Sequence, residues 1–414
     1  MPRDILHCDM NNFYASVECM LDPALKKYPV AVCGSVEERH GIVLAKNYKA
    51  KAFQVQTGDA VWQAQQKCPG LVVIPPHYEE YIKYSKLARN VYERYTDQVE
   101  PYGMDECWLD ITGTRSLFGS PEKIANEIRE TIKFELGLTI SVGVSFNKIF
   151  AKLGSDYKKP DAITTMYKSE FKQKAWSLPV ADLLYVGKST NRKLALFGIK
   201  TIGDLARADE DVLNSHLGKM GSILWSFANG YDDSPVKLEN THAPIKSVGN
   251  STTTPKDLVC DEDVKIVLYI LAESVAARLR ENGFQCRVVE ISVRDNELFS
   301  FTRQKKIDHA TNITGEIAAY AYQIFKENYN WSKPIRSVGV RGADLVTDNY
   351  WEQIDLFSSV EKREKQMKMD LAVDEIRRRF GFYSIQRGLM YRDRILSAVN
   401  AKEEHTVHPH GYFG

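Results

Sequence analysis

Two adjacent carboxylates, Asp105 and Glu106, stand between apolar flanks in the stretch at residues 102–110. Like charges placed side by side repel and raise each other's pKa. A hard divalent cation removes that repulsion, and Mg²⁺ prefers carboxylate oxygens together with substrate phosphates. The flanking Trp108 and Leu109 predict a half-buried strand that carries the pair, with its two carboxylates on opposite faces. For such a pair taken alone, an exposed hairpin turn is the alternative.

A third carboxylate, Asp9, follows a short strand predicted at residues 5–8. Asn11 or Asn12 is then predicted to cap a helix, because an amide side chain accepts hydrogen bonds from the first helical N–H groups. Asp9 could itself be that cap. Taken with the acidic pair, however, it completes a set of carboxylates able to hold two Mg²⁺ ions. Such ions activate an attacking oxygen and stabilise a leaving pyrophosphate during in-line displacement.

Composition places the 414-residue chain among multidomain globular proteins, with 43% hydrophobic and 26% charged residues. No apolar run reaches membrane-spanning length, and the N-terminus lacks the pattern of a signal peptide. The seven cysteines are scattered without a C-x-x-C pair, which indicates reduced thiols and a cytoplasmic location. With 55 basic and 54 acidic residues, the net charge is only +1. Any DNA-binding surface must therefore come from segregated charge.

Taken together, the stretches around Asp9 and around the acidic pair resemble those of the Y-family, or translesion, DNA polymerases, particularly their bacterial branches. The resemblance runs from residue 4 to about residue 341, and several motifs match in the same order. It implies a template-directed, low-fidelity polymerase that adds deoxynucleotides to a primer 3′-OH, which is then the nucleophile. It also implies that three carboxylates and one carbonyl hold the two Mg²⁺ ions: Asp9, Asp105, Glu106 and the backbone of Met10.

The resemblance further implies a set of side chains for the incoming deoxynucleoside triphosphate. Tyr48 and Lys51, three apart on a predicted helix face, match a Tyr and a basic residue that hold the triphosphate. The family usually has Arg where this chain has Lys51, and Lys lacks the bidentate fork. Lys159, in a K-P motif, is implied to contact the triphosphate. Tyr14 matches a steric gate that excludes a ribose 2′-OH. The alternatives are a solvated lysine face and, for Tyr14, a core aromatic position.

The predicted elements and the resemblance together give an α+β, multidomain, right-hand polymerase architecture. The palm is predicted as an antiparallel sheet with helices on one face, and the fingers are inserted after its first strand. The predicted segments are residues 1–10 and 78–165 for the palm, 11–77 for the fingers, 166–233 for a helical thumb, 234–244 for a linker, 245–345 for an α/β little finger and 346–414 for a C-terminal tail.

Primer–template DNA is the implied macromolecular partner. The thumb contains a Gly-centred turn that resembles a helix-hairpin-helix, although it keeps only part of the family's P-G-x-G pattern. Such a turn offers backbone N–H groups to a phosphate. In the little finger, strand alternation predicts one DNA-facing sheet surface. The candidate contacts are Lys148 and Lys152 on a helix, Gly187 in the thumb turn, and Thr252, Arg294 and Arg303 on the sheet face.

The tail carries a motif that resembles the pentapeptide by which bacterial polymerases hold the β sliding clamp. Leu356 and Phe357 would be apolar anchors in a groove, and Gln353 would orient them. The alternative is that both apolar residues pack the following helix onto the little finger. The expected protein is a monomer with no membrane partner.

Two other functions fit parts of the pattern. A nucleotide cyclase or another two-metal nucleotidyl enzyme on a palm-like fold would share the carboxylates, but it would not need the hairpin turns or the little finger. A non-catalytic DNA-binding module would need neither Asp9 nor the acidic pair. Primer extension and its dependence on Asp105 distinguish these alternatives.

Overall fold

The computed structural model of the protein describes residues 3–36, 39, 41–238, 244–347, 360–399 and 401. The chain separates into two compact units, a first drawn mainly from residues up to 238 and a second drawn mainly from residues between 244 and 401. Within these ranges, no helix is both long enough and apolar enough to cross a membrane.

The first unit begins with alternating strands and helices and ends with helices alone. Its elements are, in chain order, β1 Ile5–Met10, α1 Phe13–Leu21, β2 Val30–Cys33, β3 Val43–Lys46, α2 Tyr48–Ala52, α3 Val61–Lys67, β4 Val72–Ile74, α4 Tyr78–Tyr92, β5 Val99–Pro101, β6 Glu106–Asp110, α5 Arg115–Phe118, α6 Pro121–Leu136, β7 Ile140–Ser145, α7 Lys148–Tyr157, β8 Ile163–Met166, α8 Phe171–Ala175, α9 Lys188–Leu196, α10 Ile202–Arg207, α11 Glu210–Leu217 and α12 Lys219–Ala228.

A five-stranded sheet with the order β5-β6-β1-β7-β8 carries the acidic residues. β1 pairs antiparallel with both β6 and β7, and every residue of β1 and β7 is buried. β7 and β8 pair in parallel, with α7 as the crossover that a parallel connection requires. The prediction of a wholly antiparallel palm sheet is therefore wrong for this pair. A separate three-stranded sheet, β3-β2-β4, is formed from residues of the predicted fingers.

Helix α7 packs very closely on β7. A Cβ built at Gly143 would stand 1.8 Å from the Ala151 carbonyl oxygen, and one at Gly154 would stand 3.0 Å from the Cα of Gly143. The Asn147 side chain accepts a hydrogen bond from the Phe150 N–H and so begins the helix next to the sheet. The two glycines thus let α7 bring its polar side chains up to the central strands.

Two local sequence patterns of the first unit are confirmed. Ser120-Pro121 predicts a helix start, and Ser120 caps α6 by accepting a hydrogen bond from the Lys123 N–H. The helical spacing of aromatic and aliphatic residues over 78–95 predicts a core face, and Tyr81 and Tyr92 of α4 are almost fully buried. In α1, Asn12 is the N-terminal cap residue, but its side chain makes no capping hydrogen bond.

The second unit is a four-stranded antiparallel sheet with long helices. Its elements are β9 Ser247–Leu258, α13 Asp261–Glu281, β10 Phe284–Asp295, β11 Ser300–Thr311, α14 Thr314–Asn328, β12 Ile335–Thr347 and α15 Val360–Phe380, and the strand order is β11-β10-β12-β9. The sequence predicts a helix over residues 261–281, which α13 confirms, and another over residues 310–328. The second, α14, begins only at Thr314, because β11 continues through Thr311.

Strand alternation in β10 divides the sheet of the second unit into two faces. Val289, Ile291 and Val293 are buried in the core beneath the helices, whereas Ser292 and Arg294 lie on the other side, as predicted. We call that other side the open face.

The register corrects the prediction that Thr252, Arg294 and Arg303 share one sheet face. Arg303 lies opposite Ile291, and Thr252 lies opposite Val338, so both belong to the helix-covered side. Thr252 is buried there, whereas Arg303 is exposed because it lies on the edge strand β11. Only Arg294 of the three stands on the open face.

Charged side chains fix α15 and the turns after it to the second unit. Arg377 and Arg387 lie 2.9 and 2.8 Å from the buried carboxylate of Glu273, and Arg387 also lies 3.2 Å from Asp370. Arg280, on α13, lies 3.4 Å from Asp370. We call these five residues the arginine anchor. Its cations are guanidinium groups, whose planar forks suit carboxylates.

Candidate active site

Asp9 lies within β1 and not after it, contrary to the prediction, and it stands directly opposite Glu106, the first residue of β6. The Met10 N–H donates a 2.9 Å hydrogen bond to the Asp105 carbonyl oxygen. Hydrogen-bonded and non-hydrogen-bonded pairs alternate along an antiparallel ladder, so the neighbouring Asp9–Glu106 pair is of the non-hydrogen-bonded kind. In such pairs the Cα atoms are about 4.5 Å apart and the side chains are closest. The two carboxylates therefore share one face at short range.

Asp105 precedes β6, and the prediction that one strand carries both residues of the acidic pair is wrong for it. Its position is nevertheless fixed, because its carbonyl is bound by Met10 at the end of β1. Burial, followed by the charges of Glu106 and Asp9, raises the pKa of Asp105 to about 7. The repulsion between carboxylates that the sequence predicts is therefore present in the folded protein, but burial contributes more to the raised pKa.

Two lysines neutralise the other carboxylates. Lys152 Nζ lies 3.3 Å from Asp9 Oδ2, 2.9 Å from Glu106 Oε2 and 3.1 Å from Asp156 Oδ2. Lys159 Nζ lies 2.8 Å from both Asp9 Oδ2 and Asp156 Oδ1. We call these five residues the carboxylate–lysine cluster. It is held together by point-charge ammonium groups on flexible stems.

The structure does not support Lys148 and Lys152 as DNA-side cations. The Lys148 ammonium is buried over the Trp108 ring, with its Nζ 4.5 Å from the ring centre, and forms a 2.7 Å ion pair with Glu100. Lys152 faces Asp9 and Glu106. Their spacing placed them correctly on one helix, but it could not say that the helix turns this face toward the sheet.

His7 and Ser155 are site residues to which the sequence analysis gave no role. His7 is fully buried, with Nδ1 2.8 Å from Ser155 Oγ and Nε2 3.3 Å from Glu106 Oε2. Burial lowers the pKa of His7. Burial would raise the pKa of Glu106, but His7 and Lys152 outweigh that effect and hold it well below its usual range. The period of two along β1, which puts His7 on the face of Asp9, was the signal available in the sequence.

The chemistry of this site fits a divalent cation, although its carboxylates now surround lysines. In the part of the chain that the structure describes, no group of three or more His, Cys, Asp or Glu side chains stands close enough to hold a metal ion. Glu106 Oε2 is nevertheless buried without a hydrogen bond, and burial, followed by the charges of Glu106 and Asp9, raises the pKa of Asp105. Hard carboxylate oxygens are ligands that Mg²⁺ prefers.

Tyr14, which belongs to α1, lies close to the acidic residues. Its ring stacks on Tyr81 with the centroids 4.2 Å apart and an interplanar angle of 8°, and its hydroxyl donates to Met104 Sδ at 3.2 Å. Burial raises the pKa of the Tyr14 hydroxyl, and the Asp105 charge adds to the rise. Tyr14 is only partly buried. Part of the residue therefore remains accessible.

A group of cations and hydroxyls borders the same carboxylates. Lys51 Nζ stands 5.5 Å from the centre of the Tyr48 ring, on one face of α2. Burial raises the pKa of Tyr48, while the charge of Lys159 lowers it and that of Asp9 raises it further, so that the net shift is upward. The Tyr48 hydroxyl therefore interacts with charges of the carboxylate–lysine cluster. The pKa of Lys46 is lowered by burial and by Lys51. The sequence analysis did not identify Lys46 as part of this group.

The remaining predicted contacts lie elsewhere or outside the described ranges. Gly187 is the residue before α9, and the Asn191 N–H donates to its carbonyl. Arg294 is exposed on the open face. The clamp-like motif with Gln353, Leu356 and Phe357 lies outside the residues that the structure describes.

Comparison with known proteins places the chain in a family. Sequence models match the impB/mucB/samB family at residues 8–156, the C-terminal domain of that family at residues 245–356, and the thumb domain of DNA polymerase iota at residues 181–232. The chain is 56% identical to DNA polymerase IV of Acetivibrio thermocellus, across 96% of this chain and 100% of the relative.

More distant relatives show the same coverage. DNA polymerase IV of Clostridium acetobutylicum is 36% identical over 94% of this chain and 98% of the relative. DNA polymerase IV 1 of Bacillus subtilis is 38% identical over 93% of this chain and 92% of its own length. Among solved structures, a Y-family DNA polymerase chimera matches with a TM-score of 0.72 at 23% identity, covering 83% of this chain and 99% of the chimera, which supports the α+β fold. The chain therefore belongs to the Y family of DNA polymerases.

Proposed function

We propose that this Y-family polymerase extends a primer 3′-OH by template-directed addition of deoxynucleotides, at low fidelity and across damaged templates. Asp9, Asp105 and Glu106 are its catalytic carboxylates. The observation that carries the proposal is the direct cross-strand pairing of Asp9 with Glu106, next to Asp105. Relatives named DNA polymerase IV that match this chain over almost their whole length support the same reaction.

The carboxylate set suits two-metal phosphoryl transfer, and we propose two Mg²⁺ ions held by the three carboxylates with help from the Met10 carbonyl. When bound, these ions activate the primer hydroxyl and stabilise the leaving pyrophosphate. The carboxylates supply negative charge at a fixed place, because two of them are on paired strands and the third is tied to β1. Lys152 and Lys159 can release their carboxylates without breaking the sheet, since flexible stems carry the ammonium groups.

The incoming deoxynucleoside triphosphate is proposed to lie along Tyr48, Lys51 and Lys159. All three belong to or adjoin the group of cations and hydroxyls that borders Asp9. A triphosphate needs cationic and hydroxyl donors besides its metal ions, and these side chains provide both. Lys46 joins this group, because burial and the charge of Lys51 lower its pKa.

Tyr14 is proposed as the steric gate against ribonucleotides. Its ring is held by the parallel stack on Tyr81 and by the Met104 sulfur, so it cannot easily turn aside for a 2′-OH. Tyr14→Ala should raise the kcat/KM for ribonucleotides relative to deoxynucleotides by about tenfold to a hundredfold. Tyr14→Phe, which keeps the ring, is the matched control. Unchanged sugar selectivity in the alanine variant would refute the gate.

DNA is proposed to contact the backbone at Gly187 and the open face of the second unit. The open face is rich in hydroxyl groups and small residues and includes three cations, Arg294, Lys306 and Arg341, although Arg341 is paired with Glu290. Such a surface suits sequence-independent phosphate contacts. Arg303 remains a candidate only from the edge of the opposite face.

The experiment that tests the reaction is primer extension by Asp105→Asn. Loss of this charge should abolish extension, whereas binding to primer–template, measured by fluorescence anisotropy, should stay within about twofold because it rests on backbone contacts elsewhere. Extension by the variant at the wild-type rate would rule out the assigned site. Formation of a cyclic nucleotide by the wild type in place of extension would favour the cyclase alternative.

We further propose that Gln353, Leu356 and Phe357 bind the β sliding clamp, and that the protein is a cytoplasmic monomer. All seven cysteines are free and six of them are buried, which supports a reducing compartment. Substitution of the three motif residues by Ala should shorten products on clamp-loaded templates and leave extension on bare primer–template unchanged. Equal losses with and without the clamp would mean that the motif is structural.

A further inference from the structure

Two buried polar atoms face each other behind the catalytic carboxylates. Within the described part of the chain, neither His7 Nε2 nor Glu106 Oε2 has a well-aligned hydrogen bond, although the two atoms are 3.3 Å apart. Lys152 forms an ion pair with the same Glu106 oxygen at 2.9 Å. An unsatisfied buried polar atom costs free energy, so two such atoms in mutual reach call for a functional explanation.

The proton arrangement around His7 resolves the contact. Ser155 Oγ lies 2.8 Å from both His7 Nδ1 and the Lys152 carbonyl oxygen, but a hydroxyl has only one proton to donate. The Lys152 carbonyl lies inside α7 and also accepts a backbone bond there. An ionised carboxylate can only accept a hydrogen bond, so the 3.3 Å contact with Glu106 requires a proton on Nε2. Nδ1 then accepts from the Ser155 hydroxyl.

The imidazole is also held in orientation by its packing. The His7 ring meets the edge of Trp108 with the centroids 5.1 Å apart, and the Trp108 indole N–H donates to the Lys148 carbonyl at 3.0 Å. His7 and Trp108 are directly opposite in the β1–β6 ladder, two pairs along from Asp9 and Glu106 and therefore on the same face. The ring therefore has little rotational freedom, and its Nε2–H keeps one position relative to the Glu106 carboxylate.

We propose that His7 is a positioning residue, which holds the Glu106 carboxylate toward Asp9 through its Nε2–H, with the Ser155 hydroxyl donating to Nδ1 on the other side of the ring. The inference rests on the proposed metal site, because the carboxylate orientation matters most where a cation must be gripped. Outer partners that orient metal ligands typically change metal affinity or activity 10- to 100-fold when removed, roughly the effect expected here.

The test compares His7→Gln with His7→Asn. The glutamine amide nitrogen can occupy the place of Nε2 and reach Glu106, whereas the asparagine amide mimics Nδ1 and reaches only Ser155. The readout is Mn²⁺ binding to the full chain without nucleotide, followed by electron paramagnetic resonance. We expect His7→Gln to stay within about threefold of the wild-type Kd, and His7→Asn to bind Mn²⁺ roughly 10- to 100-fold more weakly.

Controls separate this inference from the proposed function. Cys8→Ala removes a buried atom from the opposite face of β1 and should leave Mn²⁺ binding unchanged. Glu106→Gln should weaken Mn²⁺ binding strongly, and if it does not, the metal site itself is misassigned. If Glu106→Gln loses Mn²⁺ while the two His7 variants bind it equally, the positioning role is overturned. Should His7→Asn fail to fold, Ser155→Ala replaces it, and wild-type Mn²⁺ binding by Ser155→Ala then overturns the proposal.

Discussion

The carboxylate–lysine cluster of the first unit and the arginine anchor of the second are both buried groups of opposite charges, yet they are built differently. Lys152 and Lys159 neutralise Asp9 and Glu106 with ammonium groups that can be withdrawn. The anchor uses guanidinium groups, and two of them bind the Glu273 carboxylate. A planar guanidinium group holds a carboxylate more rigidly than an ammonium group on a flexible stem does. We therefore expect the ammonium groups of the first cluster to be exchangeable for other cations, and the guanidinium groups of the second to stay in place.

The largest effect should come from exchanging one glutamate in each cluster. Glu106→Gln should lower kcat for primer extension by at least about 10³-fold, because several kcal/mol of transition-state stabilisation depend on this charge. Glu273→Gln should leave the extension rate per folded molecule nearly unchanged. Single-turnover extension with active-site titration measures both. A comparable loss of chemistry in the two variants would remove the distinction between the clusters.

The next effect is on stability. Arg280→Met should lower the free energy of unfolding by about 3 to 5 kcal/mol, because it leaves Asp370 buried without one of its cations. Arg378→Met is the matched control on α15, since Arg378 is 76% exposed and pairs only at the surface, where a pair contributes less than about 1 kcal/mol. Urea unfolding followed by circular dichroism measures both, and similar midpoints for the two variants would contradict the anchor.

A third effect concerns pH. The pKa of Asp105 is raised to about 7 by burial and by the neighbouring carboxylates. Folding therefore favours the protonated carboxyl, and its stabilising contribution is present at low pH and is lost as the pH rises toward 7. In EDTA, Asp105→Asn should become more stable than the wild type as the pH rises from 5, by on the order of 3 kcal/mol at pH 8. A difference that does not change with pH would disprove the raised pKa.

The smallest effect tests exchange of cations directly. Lys152→Met should destabilise the metal-free protein by about 2 kcal/mol, less than Arg280→Met, because Lys159 still neutralises Asp9. Millimolar Mn²⁺ should raise the melting temperature of Lys152→Met by more than that of the wild type. The same ion should not rescue Arg280→Met. Rescue of both variants, or of neither, would break the comparison between lysine and arginine clusters.

Much of the second unit could be predicted from the sequence, because its signals are local. Helix α13 and the alternation in β10 follow from the periods of apolar residues. That Thr252 and Arg303 lie on the face opposite to Arg294 could not be predicted, because this depends on the register between strands far apart in sequence. A shift of one residue moves a side chain to the other face.

The candidate site divides in the same way. The three carboxylates were identifiable because an acidic pair in an apolar stretch is costly without a partner. The positions of Lys148 and Lys152 were not, because the face of α7 that meets the sheet depends on packing with β7. His7 was overlooked because a lone histidine in an apolar strand has no local feature that indicates its contact with Glu106.

The glycine contact between α7 and β7 has a genetic consequence. Gly143 and Gly154 contribute no polar side-chain atom to the active site, yet a methyl group at Gly143 would collide with the Ala151 carbonyl and push Lys152 and Ser155 away from the strands. In a random screen for alleles that fail to support damage tolerance, substitutions at these two positions should therefore be recovered alongside those at Asp9 and Glu106. A map of such alleles would show the contact between α7 and β7 as clearly as it shows the carboxylates of the site.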